Sequence, residues 1–220
     1  MTEPRFDPAT RPWATPVTLE GLRVRLEPLS RDHLDGLVAV ALDPPTWQFT
    51  TARPHDRADL ERWIETAITN RGAGTEIPFA TIDRASGHPI GSSRFMNISP
   101  ENRRLEIGWT WLATAYQRTG ANREVKLLQM TYAFETLGAN RVEFKTDSRN
   151  ERSRAALLGI GAQFEGIHRN HVIMPDGPLR HSAWYSVTIE DWPTAKERLE
   201  SLLATGAAKS AAESAAAGSP

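Results

Sequence analysis

The 220-residue chain contains no cysteine. That excludes a disulfide framework, thiolate metal sites and a cysteine nucleophile, and it leaves the compartment without redox evidence. Charge of one sign is also lacking, since 26 basic side chains stand against 27 acidic ones. Broad electrostatic binders of nucleic acid usually show a strongly basic domain or stripe, so DNA is not an expected partner. A local basic pocket for a phosphorylated ligand stays compatible with this balance. No apolar run approaches the roughly 18–20 residues that span a bilayer. The opening "MTEPRFDPATRPWATP" carries acids and four prolines and lacks the apolar stretch of a secretory signal. A soluble, cytoplasmic protein with no membrane partner is the expectation. The histidines form no metal pattern: His168 and His171, three apart in a predicted strand, should face opposite sides. No metal is expected.

What is present reads as one domain. Residues 1–16 read as an extended, proline-broken arm and residues 17–204 as the domain. From Thr205 the composition collapses to Ala, Ser and Gly, and 205–220 reads as a disordered tail. "VTLEGLRVRLEPLS" has strand composition with a glycine in its middle, a strand or short hairpin. Ser30 is a good N-cap for a helix to about Leu42. "DPPTWQFTTARPHD" is a proline-rich loop, and "DRADLERWIETAITNRG" an amphipathic helix with Leu60, Trp63, Ile64 and Ala67 on one stripe. "IPFATIDR", "PIGSSRFMNISP" and "RRLEIGWTWL" predict a three-stranded antiparallel meander. In the last strand Leu105, Ile107, Trp109 and Trp111 alternate with Glu106, Gly108 and Thr110, which sets Glu106 opposite the tryptophan face.

The helix after Gly120 carries two apolar stripes, Val125–Leu128–Tyr132 and Leu127–Met130–Phe134–Leu137, so it should be central and packed on two sides. The strand "NRVEFKTD", a short helix capped by Asn150 and stopped at Gly161, a hairpin and a C-terminal helix follow. A helix linking two strands suggests a parallel crossover in an otherwise antiparallel sheet. The fold class is α+β, a mixed arrangement of a mostly antiparallel sheet and flanking helices. The hairpin and C-terminal helix could support a homodimer, though their apolar residues equally fit the core.

The turn "QRTGAN", Gln117 to Asn122, immediately precedes the central helix. A helix start leaves up to four N–H groups unpaired and carries about half a positive charge. Gly120 would let an anion approach the backbone, and Arg118, Arg123 and Lys126 add cations at the same end. The bland reading is that Thr119 or Asn122 simply caps a buried helix. The turn is neither a P-loop nor the G-x-G-x-x-G fingerprint, and no G-x-S-x-G elbow marks a serine hydrolase.

Glu106-Ile-Gly-Trp, then Gln117-Arg-Thr-Gly-Ala-Asn, then Asn150-Glu-Arg-Ser153 ending at Gly161-Ala162 resembles the GCN5-related N-acetyltransferase (GNAT) superfamily. The order and spacing are most similar to its Rim-type branch, which acetylates ribosomal-protein N-termini. The resemblance runs from about Val17 to Leu203. It implies a twisted sheet with a splayed parallel strand pair, "LEIGWTWL" against "NRVEFKTD", that receives the pantetheine arm of acetyl-coenzyme A. The family's Q/R-x-x-G-x-G/A loop falls on Gln117, Gly120 and Asn122, with Asn122 departing from the usual Gly or Ala. Gln117, Arg118, Thr119, Gly120, Ala121 and Asn122, with Trp111, Leu112 and Asn150, are the implied cofactor-binding residues. Glu106 matches a carboxylate that takes the proton of the incoming amine, and Ser153 a serine that protonates the departing thiolate. Asn150 joins these two in the implied catalytic set. The resemblance implies direct acetyl transfer to a primary amine, with a protein N-terminus the favoured acceptor. A small-molecule amine acceptor, or a non-catalytic acyl-coenzyme A binder, are the alternatives. Trp47, Phe49 and Tyr185 are further aromatic candidates for the acceptor side or the core.

Overall fold

A computed structural model describes residues 12–217; residues 1–11 of the expected arm and 218–220 of the expected tail lie outside them. Chain order is β1 (Leu19–Glu20), β2 (Val24–Pro28), α1 (Leu34–Ala41), α2 (Pro44–Trp47), α3 (Arg57–Gly72), β3 (Ile77–Asp83), β4 (Pro89–Ser99), β5 (Arg104–Leu112), α4 (Ala121–Thr131), β6 (Arg141–Asp147), α5 (Glu151–Gly159), β7 (Gln163–Ile173), β8 (Leu179–Thr188) and α6 (Trp192–Ala217). One eight-stranded sheet runs β1-β2-β3-β4-β5-β6-β8-β7. Every pairing is antiparallel except β5 with β6. The crossover between those two is α4, extended by a wide turn over Tyr132–Thr136.

Two apolar clusters lie on opposite faces of the sheet. One gathers Val24, Leu26, Phe79, Phe95, Leu105, Ile107 and Phe144 under α4 and α6. The other gathers Leu37, Trp47, Leu60, Trp63, Ile64 and Trp111 under α1 and α3. Trp13 belongs to the first and is buried, so the segment read as an arm to residue 16 is anchored in the core at its end. The tail also differs, because α6 carries the backbone of residues 205–217 in helix. Alanine, the commonest residue there, is the strongest helix former. Among the described residues no helix is long and apolar enough to cross a membrane.

The central helix departs from its two-stripe reading. Leu127 and Leu128 are only partly buried, whereas Glu124, Lys126 and Gln129 are buried beside Val125 and Met130. Burying a charge is costly unless it finds partners, and Glu124 finds three. Its Oε1 accepts from the Leu22 amide at 2.7 Å, and its Oε2 from those of Arg23 and Val24 at 2.9 Å each. The β1–β2 hairpin is thereby clamped onto the first turn of α4. Arg23 adds a bond from Nη1 to the Thr119 carbonyl at 3.0 Å, tying the same hairpin to the turn before the helix.

Candidate active site

β5 and β6 pair only from Arg104↔Arg141 to Glu106↔Glu143, although β5 continues to Leu112 and β6 to Asp147. Beyond Glu106 the strands part. The cause lies on the other side of β5, where Arg94 pairs with Gly108 and Ser92 with Trp111. One residue of β4, Ser93, thus faces two of β5, Trp109 and Thr110. This is a β-bulge, which bends the strand and re-aims its side chains. Trp109 takes the left-handed backbone, φ 49°, uncommon for a bulky residue.

The bulge also shifts the alternation. Leu105 and Ile107 point into the cluster beneath α4, while Trp111 lies in the opposite cluster and Trp109 packs against it. Glu106 therefore shares a face with the two tryptophans, and the expectation that it lies opposite them is overturned. Strict period-two reading cannot survive an inserted residue. The same physics corrects the histidines: the β7–β8 register shifts between His168 and Val172, and the ring centroids of His168 and His171 lie 5.6 Å apart. No group of three metal-ligating side chains forms among the described residues.

A cavity of about 590 Å³ opens along the gap. Of the residues singled out from the sequence, Glu106, Trp111, Leu112, Gln117, Arg118, Gly120, Asn122, Asn150 and Ser153 line it, and so does Phe49. Thr119 and Ala121 do not. Ala121 is buried in the core, and the Thr119 hydroxyl donates to the Tyr116 carbonyl at 2.8 Å. Tyr185 is core as well, fully buried, its hydroxyl accepting from Arg154 Nε at 3.0 Å. Trp47 is buried against Trp63 and Trp111.

At one end of the cavity the turn opens α4. Gly120 stands at the N-cap with φ 95° and no side chain caps the helix. Neither Thr119 nor Asn122 takes the capping role; Thr119 Oγ1 reaches the Ala121 amide only at 3.4 Å. A Cβ on Gly120 would meet only Leu203 Cδ2, at 3.7 Å, so the backbone conformation, not crowding, requires glycine there. Asn122 Oδ1 is buried with no partner. Arg118 and Arg123 line this end, and Arg152 reaches in from α5 to bond Gln117 Oε1 at 2.6 Å. Uncapped amides, an orphan amide side chain and three arginines make a place that can take an anion such as a phosphate.

At the gap itself Glu106 is 1% exposed. Its Oε2 accepts from Asn97 Nδ2 at 2.8 Å and faces Lys145 Nζ at 3.5 Å. Among the described residues Oε1 has no hydrogen-bond partner, which leaves one lone-pair edge for a proton. Asn150 does cap α5, its side chain accepting from the Ser153 amide at 3.0 Å, and both residues still line the cavity. One lining residue escapes sequence reasoning, and another is misplaced by it. Arg180 on β8 is buried, with Nη1 donating to the Phe49 carbonyl at 3.0 Å and Nε without a partner. Lys126, expected among the cations at the phosphate end, instead turns inward and donates to Thr110 Oγ1 at 2.7 Å. The only hint of this was its position one residue from an apolar stripe.

Comparison with known proteins bears on this geometry. Residues 23–163 match the acetyltransferase (GNAT) domain family. The crystal structure of a GCN5-related N-acetyltransferase from Brucella melitensis is similar at 34% identity and a TM-score of 0.81, with 88% of each chain covered. YdaF of Bacillus subtilis (strain 168), provisionally named a ribosomal N-acetyltransferase, is 32% identical over 106 residues. That match spans 48% of this chain and 57% of the relative's length. Mycobacterium smegmatis RimJ, solved in complex with CoA-disulfide, shares the fold at a TM-score of 0.74 and 21% identity, covering 86% of this chain and 96% of its own.

Proposed function

The chain belongs to the GNAT acetyltransferase family, and from that premise we propose that it moves the acetyl group of acetyl-coenzyme A directly to the α-amine of a protein or peptide N-terminus. The observation that carries this is the joining of two sites in one cavity, the uncapped start of α4 and the buried carboxylate of Glu106. Gln117, Arg118, Gly120, Asn122, Arg123 and Arg152 would hold the diphosphate, and the gap between β5 and β6 the pantetheine. When bound, the thioester supplies the activated acyl group. Glu106 takes a proton from the acceptor ammonium, which has to be neutral before it can attack. Asn150 holds the first turn of α5 against the gap, and Ser153 offers its hydroxyl beside it.

Charge supports the acceptor class. Among the described residues that line the cavity, Glu106 is the one carboxylate, against Arg118, Arg123, Lys126, Lys145, Arg152 and Arg180. A polyamine or aminoglycoside would meet like charge there, whereas a peptide N-terminus brings a single cation. The provisional name of YdaF, a ribosomal N-acetyltransferase, agrees. A small amine bearing an anionic group is the second reading, favoured by the partnerless Nε of Arg180. Thiol release from acetyl-coenzyme A with Ala- and Ser-initiated peptides, amino acids, polyamines and aminoglycosides tests both. Release with peptides alone supports the reading, and release with polyamines alone overturns it.

Gly120→Asp should weaken acetyl-coenzyme A binding at least tenfold by calorimetry. Aspartate, like asparagine, tolerates the left-handed backbone better than most side chains, so the added carboxylate's repulsion of the diphosphate carries the loss. Gly120→Asn, neutral and tolerant of that conformation, should lose much less. Equal affinity in all three proteins would put the diphosphate elsewhere.

A further inference from the structure

We propose that Lys126 is the acid of the transfer, giving its ammonium proton to the coenzyme A sulfur as the C–S bond breaks. This rests on reading the gap as the acyl-transfer site. Lys126 rises from α4 on one face of the sheet, and Nζ is held on the hydroxyl of Thr110, one of the two bulged residues. On the other side Nζ lies 5.6 Å from the ring centroid of Phe144 on β6. The ammonium thus stands between the two strands where they part, in the wall of the cavity. Glu106 enters that cavity from the opposite face. A base on one face and an acid on the other is the disposition that direct transfer needs, because nitrogen sheds protons while sulfur takes one up.

The surroundings of Lys126 do not look structural. Thr110 Oγ1 is bonded to Ser93 Oγ at 2.7 Å, and Ser93 to Gln129 Oε1 at 3.0 Å, so neutral groups alone fix its position. Among the described residues no carboxylate forms an ion pair with it, although lysine is almost never buried unless paired. The charge that bears on it is Glu106 from β5, with Lys145 from β6, Arg123 on its own helix, Arg152 from α5 and Arg180 from β8 lining the same cavity. Glu124, its neighbour on the helix, is spent on the three hairpin amides. Burial, only partly offset by Glu106, brings the Lys126 ammonium down to about 7. An ordinary lysine near about 10.4 holds its proton more tightly than an alkyl thiol near about 8.5. At about 7 the order reverses, and transfer to a thiolate runs downhill. The serine hydroxyl of Ser153 does not ionise in this range, so it can relay a proton but needs a source.

The step balances. The acceptor ammonium gives one proton to Glu106, nitrogen attacks the thioester carbon and loses its second proton to water, and the C–S bond leaves its electron pair on sulfur. Sulfur takes the Lys126 proton. Solvent returns one of the two protons shed by nitrogen to Lys126, and the other is released.

Lys126→Met and Lys126→Arg test this in the full chain. Both should lower kcat about a hundredfold or more while acetyl-coenzyme A affinity stays nearly unchanged. Arginine keeps charge and hydrogen bond but does not release its proton in the accessible range. The parent enzyme should lose kcat as pH rises through about 7, since the acid works only when protonated, and both variants should lack that limb. A second readout does not depend on turnover: in 15N-lysine NMR, the Lys126 titration should move on adding coenzyme A and stay put with desulfo-coenzyme A, which has no sulfur. Full activity in Lys126→Arg, or the same titration with both ligands, would overturn the assignment. A parent protein that neither binds acetyl-coenzyme A nor releases thiol would sink the site reading itself, a different result.

Discussion

Glu106→Gln should lower turnover by about 10²–10⁴-fold, the usual worth of a positioned general base, and should leave acetyl-coenzyme A affinity nearly unchanged. The expected split follows from where the carboxylate sits. Glutamine has the same shape, and its carbonyl oxygen can still accept from Asn97 Nδ2, which holds Oε2 at 2.8 Å in the parent. The pocket should keep its geometry. What the amide cannot do is accept the proton of the acceptor ammonium at the edge where Oε1 stands free. The end of the cavity proposed for the diphosphate, around Gly120 and Asn122, does not involve this side chain, which is why the cofactor should bind as before. Steady-state rates across pH, with the dissociation constant from calorimetry, decide the matter. Equal turnover at every pH would remove Glu106 from the chemistry, and a large loss of affinity would make its role structural.

The largest expected effect on stability belongs to Glu124→Ala, a loss of about 5 kcal/mol or more, at the exceptional end for a single substitution. Hydrogen bonds to a charged group contribute about 1.5–3 kcal/mol each, and buried donors left without partners add their desolvation cost. Three amides lose their acceptor at once here, those of Leu22, Arg23 and Val24. The deletion also empties the space beside Gly21, where an added Cβ would stand 2.8 Å from Glu124 Cδ. Because the hairpin holds the turn through the Arg23 bond to Thr119, the damage should reach the cofactor loop as well. Urea unfolding measures the first effect, and amide exchange at residues 22–24 the second. Glu124→Gln, which keeps one good acceptor oxygen, should fall between. A midpoint within error of the parent would show that water replaces the carboxylate without cost.

Much of the site was legible because its signals are local. The turn Gln117–Asn122, the cap at Asn150 and the strand around Glu106 each announce themselves within a few residues, and the structure brings all three to one cavity. Lys126 was misread because helical periodicity says which residues share a stripe but not which neighbour a polar side chain finds. Glu124 carried no local mark either. Its partners lie about a hundred positions away in the chain.

The sequence by itself determined the order of strands and helices apart from the short α2, Pro44–Trp47, which falls in the segment read as a proline-rich loop, together with the meander and crossover, the helix-opening turn, and the likeness to one family. These follow from apolar period, turn chemistry and motif spacing, which are properties of neighbouring residues. Only the tertiary structure decided the face that Glu106 occupies, the gap beyond it, and the burial of Lys126 between parting strands. One bulged residue opposite Ser93 reverses the side of everything after it on β5. Whether a charge is buried, paired or free is decided by residues that meet only when the sheet and α4 come together.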